Sequence, residues 1–366
     1  MFYFSSEIKL ATMRTMNILT GTDALLITNP TNIRYLTGFT GASPEEREAY
    51  ILLTAKKTFL FTNSLYMEKA KSLANVTVMQ ISREDPIATE VKKLCEKLKL
   101  DILGFEENNL TVAEYVRLTE QLPAVRFVAT RNTIEERRQM KSPKELANIK
   151  LAVTLTDQCF KFITRRIRPG VTERRLAAEI EGFFKYKGAE LAFSPIVAFN
   201  DHASQPHWES KGNNPLRRGS LILLDFGAKV NGYCADMTRV VFLGKQKTEW
   251  VTAYNTVLAA QTKAIDLLKN GVRNGATLDA AAREVIAEAG LPPYAHSLGH
   301  CVGLDIHENP RLSDKKAETL KTGMVFSVEP GVYLAGQYGI RIEDLVRLTD
   351  TGVEILSKAP KNVTIL

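Results

Sequence analysis

The first 130 residues alternate short runs of β-branched and aromatic residues with segments of helical periodicity. Short apolar runs bounded by turn residues are typical of buried strands, and apolar residues spaced by three and four predict amphipathic helices. The predicted strands are 24–28, 49–54, 57–62, 76–80 and 125–129, and the predicted helices are 64–73, 86–98 and 112–121. This pattern predicts a small α/β domain. It contains no histidine, so we expect the chemistry elsewhere.

A charged segment, TIEERRQMK at 133–141, separates this domain from the rest of the chain. Ser142 to Glu145 then has the form of a helix N-cap with Pro at the first helical position and Glu at the third. We therefore predict an N-terminal domain at 1–135 and a C-terminal domain at 136–366. If Met13 or Met16 is the true start, residues 1–15 are an extension that we expect to be disordered.

The C-terminal domain contains a hidden duplication with a period of about 105 residues, too long for a solenoid repeat. Two pairs of acids and two pairs of predicted helix N-caps recur in register. The pairs are Asp225 and Glu329, Asp236 and Glu343, Ser142 and Thr248, and Thr172 and Thr277, separated by 104, 107, 106 and 105 positions. Each half thus reads as two helices and a strand pair carrying two acids. We expect the halves to pack face to face about a pseudo-twofold axis, with the four carboxylates at the centre.

These four acids and one histidine lie at or near the ends of apolar segments that are predicted to be strands. They are Asp225, Asp236, His300, Glu329 and Glu343. Carboxylates gathered in this way repel one another, and their burial is costly unless a cation neutralises them. Two divalent metals would do so, and oxygen ligands with one imidazole favour Mn²⁺, Co²⁺ or Zn²⁺ over copper. Because paired metals lower the pKa of a bound water from ~15.7 towards ~7, the reaction class is metal-assisted hydrolysis.

All five histidines fall between residues 202 and 307, around the acid pairs. As a set, His207, His296 and His307 are expected in the site with His300. His202 lies among polar loop residues, and we assign it no role.

Bulk composition excludes some classes of function. The net charge is +7 and the pI about 9.1, but the basic residues are interspersed with acids, which favours a solvated surface over a nucleic-acid footprint. The four cysteines show no paired spacing, so no disulfide framework or zinc knuckle is expected. No segment reaches the ~18 apolar residues of a membrane span, and the N-terminus does not read as a signal peptide. We expect a cytoplasmic protein without nucleic-acid or membrane partners.

Five segments of the C-terminal domain together resemble a known family. They are IVAFNDHASQPH, LLDFGAKVNGYCADMTR, HSLGHCVGLDIHENP, VEPGVY and GIRIED, spread between residues 196 and 344. As an ordered set they resemble the pita-bread metallopeptidases, in the branch of proline-specific aminopeptidases and prolidases. NPTNIRYLTGFTG at 29–41 is similar to the opening of the creatinase-type N-terminal domain. Methionine aminopeptidases normally lack that domain and fit less well.

The resemblance implies an α+β protein with a pita-bread catalytic domain and a smaller creatinase-like α/β domain before it. It also implies roles by position. Asp225 would bind one metal, His300 and Glu329 the other, and Asp236 and Glu343 would bridge them, with Mn²⁺ the favoured ion. Glu329 would also be the general base.

Further roles follow from the same resemblance. His207, His296 and His307 would hold the substrate and stabilise the tetrahedral intermediate, with Tyr333 and Arg341 in supporting positions. Cys301 stands where the family usually has Gly, and we expect a buried spectator thiol rather than a soft metal ligand.

The leading hypothesis is a Xaa-Pro aminopeptidase acting on proline-containing peptides, as a homodimer. A Xaa-Pro dipeptidase shares every ligand and stays open as the alternative. A metal-free binding module of the same fold is a more remote one, since such relatives usually lose carboxylates and here all five ligands are present. The intact ligands also argue against creatine amidinohydrolase, which uses no metal.

Overall fold

A computed structural model describes residues 18–41, 46–84, 86–315 and 317–366. Contacts divide the chain into two compact units, Met1–Arg138 and Gln139–Leu366. The extension expected at residues 1–15 lies outside the described residues. Within the described part, no helix combines the length and apolar character needed to cross a bilayer.

The first unit is built on a six-stranded mixed sheet with the order β4-β3-β2-β1-β5-β6. Its strands are β1 (Ala24–Ile27), β2 (Ala49–Thr54), β3 (Thr58–Thr62), β4 (Thr77–Gln80), β5 (Ile102–Glu106) and β6 (Arg126–Thr130). Its helices are α1 (Pro30–Thr37), α2 (Met67–Lys71), α3 (Ile87–Leu98), α4 (Val112–Gln121) and α5 (Glu135–Arg138). Alternate residues of β1 enter opposite cores, Leu26 with α3 and α4, Leu25 and Ile27 with α1 and α2, as the period of two in a strand requires.

Three elements of this unit were absent from the sequence prediction: strand β5, helix α1 and the single-turn helix α5, which lies in the segment predicted as a connection. Strand β5 carries Gly104 at its centre, which weakens the apolar run. Helix α1 is short and rich in residues that favour other structures, but both of its ends are fixed. Asn29 accepts hydrogen bonds from the first turn, Pro30 begins the helix, and Gly38 ends it with φ 77°.

Among its described residues, the second unit has four α-helices in two pairs, a short 3-10 helix (Asn200–Ser204) and several small sheets. The helices are α6 (Pro143–Thr164), α7 (Glu173–Tyr186), α8 (Thr248–Lys269) and α9 (Gly275–Glu288). The strands of the first half are β7 (Glu190–Leu191), β8 (Ile196–Phe199), β9 (Ser220–Asp225), β10 (Ala228–Val230), β11 (Tyr233–Cys234) and β12 (Thr238–Leu243). Those of the second half are β13 (Gly299–Cys301), β14 (Glu308–Leu312), β15 (Val325–Val328), β16 (Gly331–Leu334), β17 (Tyr338–Arg341), β18 (Asp344–Thr349), β19 (Gly352–Ile355) and β20 (Thr364–Ile365).

The sheets of this unit lie between the helix pairs. They have the orders β20-β12-β9-β8, β14-β13-β15-β18-β19, β11-β10-β7 and β16-β17. One core contains α6 and α7, and the other contains α8 and α9. Strand β9 contributes Ile222 and Leu224 to the first core and Leu221 and Leu223 to the second. The helix, helix and strand-pair plan predicted for each half is therefore present.

The predicted N-caps are confirmed in the first half and displaced in the second. Ser142 forms a capping box with Glu145, and Thr172 caps α7. Thr248, however, is the first helical residue of α8, and α9 is capped by Asn274, whose side chain accepts a hydrogen bond from Thr277. Both predictions for the second half are therefore wrong. Thr277 is not the cap because Asn274, three residues earlier, is a stronger one. Thr248 is not a cap because α8 begins without any side-chain cap.

We expect Ser142→Ala to lower the free energy of unfolding by about 1 kcal/mol, because the capping hydroxyl satisfies a free backbone N–H of α6. The denaturant midpoint of the intact chain measures the change. Thr154→Ala, on an exposed position of the same helix where the hydroxyl bonds only to Lys150 of its own helix, is the control. An equal shift in both variants would contradict a specific role of the cap.

Candidate active site

Five side chains predicted as metal ligands converge where strands of the two halves end. Asp225 is the last residue of β9, Asp236 precedes β12, His300 is the central residue of β13, Glu329 follows β15, and Glu343 precedes β18. The turn between β10 and β11 is Asn231-Gly232, with φ of 50° and 85°, as a two-residue hairpin requires. The sequence correctly placed the acids at strand ends.

The metal-ligating atoms of Asp236, His300 and Glu343 all lie within 4.8 Å of one another. His300 Nε2 is 3.7 Å from Asp236 Oδ2 and 3.2 Å from Glu329 Oε1. All but Glu329 are buried, and the Glu329 side chain is 15% exposed. The fold thus gathers a compact group of carboxylates and one imidazole with little access to water.

Burial is the main reason that the pKa values of the Asp236 and Glu343 carboxyls lie well above their usual range. Neighbouring negative charge adds to the effect, chiefly from Asp225 on Asp236 and from Asp236 on Glu343. Asp225 Oδ1 and Glu343 Oε1 are buried without a hydrogen-bond partner among the described residues. Buried carboxylate oxygens without partners are costly unless a cation compensates them. This donor set therefore fits divalent cations.

Glu329 and His300 form an ion pair within the cluster. Although burial opposes it, the hydrogen bond and charge of His300 lower the pKa of Glu329 to about 2. The same contact raises the pKa of His300 against the effect of burial. Ser327 donates a second hydrogen bond to Glu329 Oε1, 2.9 Å long. Both contacts meet at Oε1 and fix the orientation of the carboxylate.

A chain of hydrogen bonds links His296, Tyr333 and Arg341. His296 Nδ1 lies 2.8 Å from the Ser297 carbonyl oxygen, which can only accept, so Nδ1 carries the proton. His296 Nε2 then accepts from the Tyr333 hydroxyl at 2.9 Å, and Arg341 Nη1 donates to the same hydroxyl at 2.7 Å. Burial lowers the pKa of His296, which favours the neutral ring that this chain needs.

Arg341 also connects this chain to the carboxylates. Its Nη2 forms an ion pair with Asp225 Oδ2, and its Nε donates to Thr238 Oγ1 at 2.9 Å. The Thr238 hydroxyl in turn donates to Glu343 Oε2 at 2.8 Å. Thr238 and Ser327 were not identified from the sequence. Only their positions beside predicted ligands could have drawn attention to them, since a hydroxyl has no distinctive spacing.

The remaining two predicted histidines are exposed and close to the cluster. The His307 ring packs edge-on against His300, with centroids 4.4 Å apart. Partial burial and the nearby charges of His300 and Arg311 lower the pKa of His307 to about 4. His207 lies on the loop after β8, near enough to Asp225 for its charge to act on that carboxyl. These two rings therefore line the open side of the cluster.

The other sequence expectations concern His202 and the cysteines. His202, which we assigned no role, bonds to the buried Glu173 and stacks on Trp208. All four cysteines are buried free thiols, and Cys301 is fully buried within β13. No described metal-ligating group includes Cys301.

Two glycines next to the predicted metal ligands lie where the neighbouring backbone leaves no room for a side chain. A Cβ atom on Gly299 would lie 1.9 Å from the Ser327 carbonyl oxygen, and one on Gly227 would lie 1.8 Å from the Ala235 carbonyl oxygen. Gly299 precedes His300, and Gly227 lies between Asp225 and Asp236 in the chain. Glycine at both positions lets the ligand-bearing strands approach closely.

A buried set of carboxylates and one imidazole, between two halves of a duplicated domain, defines a candidate metal-dependent hydrolase. The family model for metallopeptidase family M24 matches residues 147–350, and that of the creatinase/prolidase N-terminal domain matches residues 19–140. The chain belongs to metallopeptidase family M24, with a creatinase-type N-terminal domain and the pita-bread fold.

Relatives and solved structures agree with this assignment. The uncharacterized peptidase YqhT of Bacillus subtilis is 32% identical over 360 residues, covering 98% of this chain and all of that protein. A Xaa-Pro dipeptidase from Bacillus anthracis matches with a TM-score of 0.89 and 33% identity, over 98% of this chain and 99% of that one. An X-Pro aminopeptidase from Thermotoga maritima matches with a TM-score of 0.88 and 33% identity, over 96% of this chain and all of that one.

We expect Gly299→Ala to destabilise the second unit and to displace His300, because the new methyl group meets the Ser327 carbonyl oxygen. The thermal unfolding midpoint should fall. Gly182→Ala is the control, since that Cβ position in α7 has no atom within 4 Å other than those of its own stretch of helix. It should stabilise the protein by up to ~1 kcal/mol, the difference in helix propensity between Gly and Ala. A Gly299→Ala midpoint equal to wild type would refute the close approach.

Proposed function

We propose that the protein is a dinuclear-metal Xaa-Pro aminopeptidase, which removes the N-terminal residue of peptides with proline in second place. The observation that carries this proposal is the buried carboxylate cluster beside His300, with two carboxylate oxygens unpartnered among the described residues. Two similar solved structures, an X-Pro aminopeptidase and a Xaa-Pro dipeptidase, support the proline preference.

The residues that would hold two divalent ions are Asp225, Asp236, His300, Glu329 and Glu343. We propose Mn²⁺ as the ion, with Co²⁺ and Zn²⁺ also suited to this ligand set. When bound, such a pair supplies Lewis acidity and a hydroxide nucleophile at neutral pH. The ligating atoms of Asp236, His300 and Glu343 lie within 4.8 Å of one another, and we propose that Asp236 and Glu343 would help to hold both ions.

The chain's own groups supply the remaining chemistry. Ser327 and His300 hold Glu329 through Oε1, so the other carboxylate oxygen can accept a proton as a general base. His207 and His307, on the open side, would contact the peptide and donate to the developing oxyanion. Tyr333 and Arg341 hold His296 as the neutral tautomer, and His296 would also contact the substrate.

Proline suits such a site for a covalent reason. The imide nitrogen before proline has no N–H, and the ring fixes φ near −65°. Peptidases that hydrogen-bond to that N–H lose a contact, whereas a site that anchors the free amine end of the peptide does not need it. End-anchoring also explains removal of one residue at a time.

A Xaa-Pro dipeptidase is the second candidate, and one observation favours it. Arg311 in β14 pairs directly with His300 across the antiparallel ladder, and directly opposed residues project from the same face. Arg311 is exposed, and its charge acts on His307. It could therefore bind the free carboxylate of a dipeptide, which a longer peptide does not place there.

The two candidates are separated by competition between Ala-Pro and Ala-Pro-Ala-Ala with the Mn²⁺-loaded protein, followed by mass spectrometry. Loss of Ala from the tetrapeptide supports the aminopeptidase, and cleavage of Ala-Pro alone supports the dipeptidase. Failure to cut either peptide with Mn²⁺, Co²⁺ or Zn²⁺ would refute both and favour a binding module. We also propose that the protein acts in the cytoplasm as a homodimer.

We expect Arg311→Gln to separate the candidates further. If Arg311 binds the carboxylate of Ala-Pro, KM for Ala-Pro should rise about tenfold or more, since a charge-assisted hydrogen bond contributes ~1.5–3 kcal/mol, with kcat little changed. Cleavage of Ala-Pro amide, which lacks the carboxylate, should be the same in both proteins. An equal effect on the acid and the amide would exclude this role.

We expect Asp236→Ala to abolish hydrolysis and leave the fold intact. Removing one of several buried like charges relieves repulsion in the metal-free protein, so its melting temperature should match or exceed that of wild type. The rise in melting temperature on adding Mn²⁺, which reports binding to the native state, should disappear.

The control for this variant is Asp266→Ala, which removes an exposed carboxylate paired with Lys269. It should keep both hydrolysis and the Mn²⁺-dependent rise. Near-normal turnover by Asp236→Ala would rule out the dinuclear mechanism.

A further inference from the structure

In each half of the second unit, one segment of the candidate site is hydrogen-bonded to a buried carboxylate that is not a predicted metal ligand. In the first half this is Glu173, the first residue of α7, which is 2% exposed. In the second half it is Asp279 in α9, which is fully buried. The two positions differ by about one helical turn within their helices, so they are not copies of one residue.

Glu173 accepts hydrogen bonds from the last residue of β8 and from two side chains of the following loop, which carries His207. Phe199 N donates to Oε1 at 2.7 Å, His202 Nδ1 lies 2.7 Å from the same oxygen, and Trp208 Nε1 donates to Oε2 at 3.0 Å. The His202 and Trp208 rings stack with centroids 3.9 Å apart. Both ends of this part of the loop are thus bound to the start of α7.

His207 itself lies between two anchored residues. The indole of Trp208, the next residue, is held by Glu173. The carbonyl oxygen of Pro206, the preceding residue, accepts from Arg341 Nη2 at 3.5 Å. An exposed side chain has few contacts to fix it, so its placement depends on how firmly its neighbours hold the backbone.

Asp279 accepts hydrogen bonds that hold the segment carrying His296. The Tyr294 hydroxyl donates to Asp279 Oδ1 at 2.8 Å, and Arg283 Nε donates to Oδ2 at 2.8 Å. Arg283 then donates to two carbonyl oxygens, that of Tyr294 at 2.6 Å and that of His296 at 2.7 Å. The Tyr294 ring also stacks on the His296 ring, with centroids 4.9 Å apart.

We propose that Glu173 and Asp279 are positioning residues for two different histidines of the site. Glu173 positions His207 through Trp208, and Asp279 positions His296 through Tyr294 and Arg283. The inference rests on the proposed peptidase function, in which both histidines contact the substrate. If the two carboxylates only stabilised the fold, weakening either network would lower stability without a selective effect on one histidine.

Two conservative variants test the proposal, because each removes one donor to a buried carboxylate and keeps an aromatic ring. Trp208→Phe removes the N–H that reaches Glu173, and Tyr294→Phe removes the hydroxyl that reaches Asp279. We expect each to lower kcat/KM for Ala-Pro-Ala-Ala, or for Ala-Pro if only the dipeptide is cut, by about tenfold, since small misplacements of reacting groups are costly.

Double-mutant cycles show which histidine each variant acts through. In a His207→Ala background, Trp208→Phe should cause no further loss, while Tyr294→Phe should keep its full effect. In a His296→Ala background the outcome should be reversed. Tyr254→Phe is the matched control, because it removes a buried hydroxyl bonded to the Lys361 carbonyl oxygen. Its effect should add to both histidine variants, and additivity in all cycles would overturn the proposal.

A second readout does not depend on activity. The chain has five histidines, so their ring C–H signals can be assigned in an NMR spectrum of histidine-labelled protein. Trp208→Phe should shift the signals of His202 and His207, and Tyr294→Phe that of His296. Unchanged His207 and His296 signals would overturn the proposal even if activity fell. A wild-type protein that cleaves no peptide would refute the proposed function, while the spectra would still decide the placement of the two rings.

Discussion

The structure of the second unit depends on one unfavourable interaction, the confinement of several carboxylates in a space that excludes water. Repulsion among Asp225, Asp236 and Glu343 and the cost of their burial would drive an uncompensated protein towards protonation. The fold opposes this with Arg341 on one side, His300 on another and hydroxyl donors between them. These groups do not neutralise all of the negative charge, and a divalent cation can neutralise the remainder. The capacity of the site to bind a metal therefore follows from its incomplete neutralisation by the protein's own side chains.

The sequence predicted the parts of this arrangement that follow from period and charge. Strand ends, the Asn231-Gly232 turn, the two-half plan and the five clustered side chains could be derived because apolar runs and acids recur at nearly constant spacing. The α/β character of the first unit followed in the same way. The pita-bread fold and the roles of individual residues came from a family resemblance, and the family itself is confirmed by the match over residues 147–350.

What the sequence did not predict depends on tertiary contacts or on competition between neighbours. Helix α1 and strand β5 have weak local patterns and form because Glu106 and Asn29 bind the helix N-terminus and the sheet flanks β5. The cap predicted at Thr277 is replaced by Asn274, and α8 begins at Thr248 without a side-chain cap. Glu173, His202 and Trp208 meet only in three dimensions, 29 and 35 positions apart, so no spacing rule would have grouped them.

The alternation along β9 and β12 has a consequence for how this unit folds. Val240 and Phe242 belong to one core and Val241 and Leu243 to the other, as do neighbouring residues of β9. Each half of the duplication therefore completes its hydrophobic interior with side chains from strands that also serve its counterpart. Although the sequence contains the same plan twice, either half alone would lack the helices that cover one apolar face of its strands.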